Sequence, residues 1–258
     1  MTGAAPLLSC RGLELRVGAR TLCRALDLDV ARGECVAVIG PNGAGKTTLI
    51  ATLAGLRPPA AGTIAYAGTP LGELTPRERA RLRGWLAQDS VDHFPASVLE
   101  TALVGRHPHL SRYAWESADD VDCALAALER FGMAAFAERD VRTLSGGERR
   151  RVALAALVAQ APALMLLDEP SSHLDPGHQI AAQDTIAALA RSAGSGIVMA
   201  LHELHLAVRY ADRIVALADG AAEVGPAAEM LTEARLSRLF RTPLVAVGSG
   251  RARTFVPA

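Results

Sequence analysis

The spacing of apolar residues changes along the chain, and each spacing predicts one type of element. Residues 13–17 and 26–30 alternate apolar with polar positions, as half-buried strands do, and the turn at 18–20 joins them into an antiparallel β hairpin. Residues 1–9 precede this pattern and are expected to be unstructured. Fully buried strands are predicted by the continuous apolar runs at 35–39, 164–167, 197–201 and 214–217.

Helical patterns separate the later buried runs, and this alternation predicts an α/β fold with a mixed sheet and right-handed crossovers. Helical patterns also dominate residues 89–158, which are predicted to be an inserted, mostly α-helical subdomain that divides the core. We therefore expect one domain with three parts. They are a nucleotide-binding core at 1–88 and 159–220, a helical subdomain at 89–158 and a C-terminal extension at 221–258.

Composition limits the classes of function. Half of the 258 residues are apolar, and 27 basic residues balance 27 acidic ones, so charge gives no argument for a nucleic-acid partner and none is expected. Four cysteines without paired or metal-type spacing, and no signal peptide, favour reduced thiols in a cytoplasmic protein. The most apolar region, 152–167, contains Gln160 and Pro162 and is too short to span a bilayer. Any membrane-spanning helices would belong to another chain.

A glycine-rich segment lies between the strand predicted at 35–39 and a helix predicted at 49–54. Its residues are Gly40, Pro41, Asn42, Gly43, Ala44, Gly45, Lys46, Thr47 and Thr48. Strand, glycine-rich turn and helix in this order are typical of a phosphate-binding loop, in which backbone N–H groups and a helix N-terminus surround the anion. We expect Lys46 to reach the β- and γ-phosphates and the Thr47 hydroxyl to bind Mg²⁺. The segment predicts a P-loop NTPase-type core.

Two adjacent carboxylates follow the buried run at 164–167. Asp168 can hold Mg²⁺, directly or through a water, and Glu169 can polarise the water that attacks a phosphoanhydride. Two acids at a strand end are often only the start of a solvated loop. In a chain that also carries a phosphate-binding loop, the hydrolytic role is favoured.

A third motif consists of Leu144, Ser145, Gly146, Gly147 and Glu148. Ser145 and Glu148 have the spacing of a capping box, which predicts that a helix begins here. Capping does not explain the two glycines, whereas a Ser-Gly-Gly turn at a helix N-terminus is a second anion site. Two γ-phosphate sites on one chain are useful if two chains pair and each serine turn closes over the other chain's nucleotide.

With these motifs the sequence resembles the ATP-binding cassette family, the nucleotide-binding subunits of transporters, over nearly its whole length. By this resemblance Glu169, His202 and Gln88 serve hydrolysis: Glu169 orients the water, and His202 and Gln88 contact or sense the γ-phosphate. Asp175 belongs to the loop that links two composite sites, and Ser145 to Glu148 contact the partner's ATP. The resemblance implies Mg²⁺ as cofactor, held by Thr47, Gln88 and Asp168.

The family usually stacks adenine on an aromatic residue of the first hairpin, and this chain has Val17 at the matching place. An aliphatic side chain still covers the base, but without the stacking gain of about 0.5–1.5 kcal/mol. Val17 is therefore expected in the ATP site as an unusual residue.

The resemblance also implies partners and a location. They are a second copy or a homologous cassette, transmembrane permease subunits and, indirectly, a solute-binding protein, at the cytoplasmic face of the inner (plasma) membrane. Residues 104–109 and 172–179 look like the importer branch for iron–siderophores, haem and cobalamin. An importer or exporter for another solute stays open, as does a soluble cassette of DNA repair or translation. A P-loop kinase would not explain the turn at 145–147.

Overall fold

The computed structural model describes residues 5–88, 95–111 and 114–258. It has a mixed α/β architecture with parallel and antiparallel strands, which confirms the predicted fold class. The predicted start of the helical subdomain at 89 lies outside the described residues, and so do residues 1–4 of the predicted unstructured start. The division into core, helical subdomain and extension stays a prediction.

The central sheet has the spatial order β10-β9-β3-β8-β7-β6, and the strands from β9 to β6 run parallel. Strand β10 is antiparallel to β9. The strands are β3 (Cys35–Ile39), β6 (Arg83–Leu86), β7 (Leu164–Asp168), β8 (Gly196–Ala200), β9 (Arg213–Ala218) and β10 (Ala221–Pro226). Because β3, β7 and β8 are neighbours, the loops that follow them meet at one edge of the sheet.

A second, antiparallel sheet has the order β2-β1-β4-β5. Its strands are β1 (Leu8–Val17), β2 (Arg20–Val30), β4 (Ala61–Tyr66) and β5 (Thr69–Pro70). The prediction of an unstructured start through residue 9 was wrong, because Leu8 is fully buried and begins β1. A bulge between Cys10 and Leu13 shifts the register, so the alternation of the strand is visible in the sequence only from Leu13 onward.

Nine α-helices surround these sheets in the described residues. They are α1 (Lys46–Leu53), α2 (Pro76–Leu82), α3 (Val98–Leu103), α4 (Ala118–Arg130), α5 (Gly146–Ala159), α6 (Pro176–Ala193), α7 (Leu204–Tyr210), α8 (Ala227–Met230) and α9 (Glu233–Phe240). A terminal hairpin of β11 (Leu244–Val247) and β12 (Thr254–Pro257) follows them. Within the described ranges, none of these helices combines the length and apolar character needed to cross a membrane.

The central sheet is covered on both faces, which explains why its strands are continuous apolar runs. Alternate residues of β3 point to opposite sides: Ala37 and Ile39 join the apolar cluster of the helical side, whereas Val36 and Val38 join the cluster of the antiparallel sheet. Helix α1 packs in the second cluster through Leu49 and other apolar residues. This packing fixes the first turn of α1 against the end of β3.

Helices α3, α4 and α5 pack on one another, and a partly buried ion pair joins the loop after α3 to α4. Arg106 Nε donates to Asp120 Oδ1 at 2.9 Å, and Arg106 Nη1 donates to the carbonyl oxygen of Ala159 at 2.8 Å. Asp120 also closes the capping box of Ser117. The hydrogen bond from Arg106 is the main cause that lowers the pKa of Asp120 to about 2.

Asp120→Asn is expected to lower the free energy of unfolding, because Asn keeps the cap but loses the charge that faces Arg106. A depressed carboxyl pKa stabilises the fold above the ordinary value of 3.8, and this contribution is lost as the pH falls through about 2. The difference between wild type and variant should therefore be present at neutral pH and shrink below pH 3.8. Denaturant unfolding at several pH values measures it, with Asp119→Asn as the control. An equal difference at all pH values would contradict the account.

Candidate functional site

The loop predicted to bind phosphate joins β3 to α1 at the edge of the central sheet. Gly40 has φ +153°, and a Cβ at this position would lie 2.3 Å from the carbonyl oxygen of Leu217 on the neighbouring strand β9. The backbone therefore passes too close to β9 for any side chain at residue 40. Helix α1 begins at Lys46, so its N-terminal N–H groups face the same side as the loop. The predicted order of strand, loop and helix is confirmed.

Lys46 is the only lysine among the 27 basic residues of the sequence. Its side chain is 6% exposed, and Nζ donates to the carbonyl oxygens of Gly40 at 2.9 Å and Pro41 at 3.3 Å. Burial lowers the pKa of Lys46, while Glu169 and Asp168 act in the opposite direction. A compact ammonium with three donors fits this narrow position, where the planar fork of an arginine would not.

Asp168 is the last residue of β7 and is 2% exposed. Within the described part of the chain, its Oδ1 is buried without a hydrogen-bond partner. Burial raises the pKa of Asp168, and a hydrogen bond with the Thr47 side chain lowers it. An orphaned carboxylate oxygen beside a hydroxyl is a donor set of the kind that Mg²⁺ prefers. The residues present therefore fit the predicted metal.

Glu169 and His202 lie at the ends of two neighbouring strands, β7 and β8, and meet in space. His202 Nε2 and Glu169 Oε1 are 2.6 Å apart. The backbone of Glu169 has φ +47°, a left-handed conformation that is unusual for a residue with a side chain, and its N–H donates to the carbonyl oxygen of Ala200 at 3.2 Å. The sheet thus holds the Glu169 carboxylate beside the imidazole.

A cleft of about 520 Å³ brings together Lys46, Thr47, Glu169 and His202, whereas the buried Asp168 is not part of its lining. Its lining residues are Val17, Arg20, Leu22, Asn42, Gly43, Gly45, Lys46, Thr47, Thr48, Gln88, Glu169 and His202. Val17 lines this cleft and is 45% exposed, and its role in an ATP site stays a prediction. Arg20 and Leu22 were not predicted from the sequence to lie at this cleft. Arg20 pairs directly with Val17 across the hairpin turn, so the predicted hairpin already contained the signal that could have identified it.

The Ser-Gly-Gly turn is separate from the lining of this cleft. Ser145 is the N-cap of α5 and forms the predicted capping box with Glu148: Ser145 Oγ accepts from the Glu148 N–H at 3.2 Å, and Glu148 Oε2 accepts from the Ser145 N–H at 2.7 Å. A Cβ on Gly147 would lie 3.0 Å from the carbonyl oxygen of His173. The turn and the loop before α6 are therefore packed closely together, with Gly146 also beside His173.

Asp175, the predicted link between two composite sites, is the N-cap of α6. Its Oδ1 accepts from the N–H groups of Gly177 at 3.1 Å and His178 at 3.0 Å. Its side chain is 63% exposed. Asp175 thus ends the loop whose His173 packs against the serine turn.

A second cleft, of about 420 Å³, lies between β6 and the helices α3 and α5. Its lining residues are Trp85, Leu86, Ala87, Thr101, Val104, Gly105, Val141, Arg149, Ala153, Ala156, Leu157 and Gln160. We call it the β6 groove. Trp85 and Val104 are 38% and 55% exposed there. Because Ala87 lines the β6 groove and Gln88 lines the first cleft, one short segment connects the two.

Lys46 in its loop, Thr47 beside Asp168, and Glu169 beside His202 define a P-loop nucleotide-binding protein. The comparisons with known proteins narrow this class. The chain belongs to the ABC transporter family, because the family's model matches residues 23–172.

Curated relatives have sequences similar to this one over most of its length. A hemin import ATP-binding protein of Myxococcus xanthus is 40% identical over 241 residues, which cover 90% of this chain and 89% of the relative. A cobalamin import ATP-binding protein of Halobacterium salinarum is 38% identical over 248 residues, 95% of this chain, and the chain spans 61% of its length. A chain of an ABC transporter described as of metal-chelate type, in an inward-facing conformation, is similar with a TM-score of 0.85 at 28% identity, covering 98% of both chains.

Proposed function

We propose that this chain hydrolyses ATP to energise a membrane importer for an iron–siderophore, haem or cobalamin. The observation that carries the hydrolytic part is the convergence of Lys46, Thr47, Glu169 and His202 in one cleft, with the orphaned Asp168 oxygen behind it. The loop holds the phosphates, and the strand ends bring the groups that act on the terminal phosphate.

In this proposal the loop N–H groups and the N-terminus of α1 bind the β- and γ-phosphates, and Lys46 donates to their oxygens. Thr47, Asp168 and Gln88 hold Mg²⁺, which supplies charge neutralisation at the phosphates when bound. Val17 covers the adenine by apolar contact. Arg20 lines the same cleft and adds a positive charge near the nucleotide.

Glu169 accepts a hydrogen bond from the attacking water and draws its proton away as the water oxygen bonds to the γ-phosphorus and the bond from that phosphorus to the bridging oxygen of the leaving ADP breaks. His202, 2.6 Å from the Glu169 carboxylate, orients that side chain and reaches the γ-phosphate. Gln88 approaches from the segment after β6. The left-handed backbone of Glu169 supports this role, since strain of this kind is concentrated at functional sites.

A second chain completes the site. Ser145 and the N–H groups of Gly146 and Gly147 are exposed away from the chain's own cleft, where they are available to the γ-phosphate bound by a partner. Asp175 lies beside that turn and links the two sites. The partner is a second copy of this chain or a homologous cassette. ATP stabilises the closed pair by its differential affinity for that state, and hydrolysis releases the pair.

The permease docks in the β6 groove. Its apolar lining, with the exposed Trp85 and Val104, suits an amphipathic helix from a transmembrane subunit. A helix seated there would press on the segment that ends in Gln88, and thereby connect transport to hydrolysis. The chain is accordingly a peripheral subunit at the cytoplasmic face of the membrane.

The names of the hemin and cobalamin import relatives support the cargo. The test is co-purification of this chain with its permease from membranes, followed by ATPase assays with candidate cargo-loaded solute-binding proteins. Stimulation by a haem-, siderophore- or corrinoid-loaded protein is the expected result. Absence of membrane association would contradict the proposal, and stimulation by an unrelated solute would correct the cargo.

Val104→Glu is expected to reduce recovery of this chain with the permease, because it puts a charge on the apolar β6 groove. The side chain is more than half exposed, so the melting temperature of the isolated subunit should change little. Affinity co-purification measures the effect. Val247→Glu, at a valine of β11 with 51% exposure, is the matched control. Equal recovery of both variants would contradict docking in this groove.

A further inference from the structure

A buried arginine of helix α5 joins the two backbone segments that carry the proposed hydrolysis residues. Arg150 is 4% exposed and lies five residues after Ser145, within the same helix. Its guanidinium donates to main-chain carbonyl oxygens at the ends of two neighbouring strands. After β6 the acceptors are Ala87 at 2.6 Å and Gln88 at 3.2 Å. At the end of β7 they are Asp168 at 2.7 Å, Glu169 at 2.5 Å and Pro170 at 3.1 Å.

This arrangement matches the chemistry of arginine. The guanidinium presents five N–H donors in a fixed planar fork, so one side chain can satisfy several carbonyl oxygens at once. A lysine at the same place would offer a compact ammonium without that fork. The acceptors are backbone groups, so the contact restrains the path of the chain rather than one side chain.

Arg150 restrains the backbone at Glu169, which has an unusual conformation. Glu169 has φ +47°, and such a conformation persists only when the surrounding structure holds it. Its N–H is fixed by Ala200 on one side, and its carbonyl oxygen is fixed by Arg150 on the other. Because the peptide units on both sides of Glu169 are held, its side chain is directed toward His202 and the cleft.

We infer that Arg150 is a positioning residue that aligns Glu169 and Gln88 for hydrolysis and ties their alignment to α5, the helix that Ser145 caps. This inference rests on the proposed roles of Glu169 and Gln88. When Ser145 engages the partner's nucleotide, any shift of α5 reaches the chain's own hydrolysis residues through one side chain. Arg150 holds the main chain of Gln88 and Asp168, two of the proposed Mg²⁺ ligands, but none of its described hydrogen bonds reaches the phosphate loop or Lys46. Because the loop and Lys46 bind the phosphates, most of the affinity for ATP should not depend on Arg150.

The first test is a comparison of kcat with the KM for ATP. Arg150→Gln should lower kcat by about 10²-fold, the cost of a misplaced catalytic group, while the KM for ATP changes by less than about threefold. Arg150→Lys should have a kcat between those of Arg150→Gln and wild type, because lysine keeps the positive charge but has fewer N–H donors than arginine. Arg142→Gln is the matched control, since Arg142 bonds to Asp140 within its own exposed turn. If Arg150→Gln does not fold, Arg150→Lys carries the same comparison.

The second test separates this inference from the proposed function. Glu169→Gln should form an ATP-dependent dimer, and adding Arg150→Gln should leave that dimer intact, because positioning matters for hydrolysis and not for binding. If Glu169→Gln alone does not dimerise, the proposed function is contradicted. The role of Arg150 is then tested by the kcat comparison. Any of three results would overturn the inference. They are a wild-type kcat in Arg150→Gln, an equal loss of kcat and of ATP affinity in that variant, and loss of the dimer in the double variant when Glu169→Gln alone still dimerises.

Discussion

Glu169→Gln is expected to lower the rate of ATP hydrolysis by about 10²–10⁴-fold, the usual contribution of a general base. ATP affinity should be retained, because the loop and Lys46 are unchanged and the amide fills the volume of the carboxylate. The geometry gives the reason: the Glu169 carboxylate lies 2.6 Å from His202 Nε2 at the cleft. Steady-state hydrolysis and equilibrium ATP binding measure the two effects.

Glu229→Gln is the control for this prediction, since Glu229 is an exposed residue of α8, remote in sequence from every motif of the site. Hydrolysis at the wild-type rate in Glu169→Gln would show that another group activates the water. A parallel loss of ATP affinity would show that Glu169 supports binding rather than the chemical step.

Lys46→Ala should weaken ATP binding by about 10²-fold or more and abolish hydrolysis at ordinary ATP concentrations. Hydrogen bonds to charged groups contribute about 1.5–3 kcal/mol each, and about 1.4 kcal/mol corresponds to a tenfold change in affinity. In the proposed site, the three donors of Lys46 serve more than one phosphate oxygen. Isothermal titration with MgATP measures the loss.

Lys46→Arg keeps the positive charge, so it separates the effect of charge on ATP binding from the effect of side-chain shape. At 6% exposure the position does not accommodate the larger planar group, so the arginine variant should resemble the alanine variant. Arg24→Ala, on the exposed face of β2, is the control for loss of a positive charge from the same part of the chain. ATP affinity in Lys46→Arg equal to that of wild type would show that charge alone suffices.

The parts of the site that sequence identified are those that short segments encode. Each of these motifs combines a residue pattern with a local helix or strand, and about ten residues suffice to recognise the pattern and the element. They are the loop from Gly40 to Thr48, the Asp168–Glu169 pair and the capping box of Ser145. The meeting of the loop with the carboxylate pair was also predictable, because parallel strands end at one edge of a sheet. The hydrogen bond between Glu169 and His202 follows from that adjacency.

Other features depend on contacts between distant segments. Arg150 lies in a run of three arginines, and nothing in that run tells which one is buried against strand ends at residues 87 and 168–170. Leu22 enters the cleft because β2 packs against the phosphate loop, where a Cβ on Gly45 would lie 2.9 Å from Leu22 Cδ1. The bulge at 11–12 hid the first half of β1, because it breaks the period of two on which the strand prediction relied.

In the proposed dimer, each ATP is enclosed by the loop of one chain and the serine turn of another. Sedimentation of Glu169→Gln, alone and combined with Ser145→Asp, tests it most directly. Aspartate retains the helix cap but places a negative charge against the partner's γ-phosphate, and Ser145→Asn retains the cap without the charge. We expect MgATP to convert Glu169→Gln and its Ser145→Asn combination from monomer to dimer. The Ser145→Asp combination should bind MgATP as a monomer. Dimerisation of that last variant, equal to that of Glu169→Gln, would contradict the account.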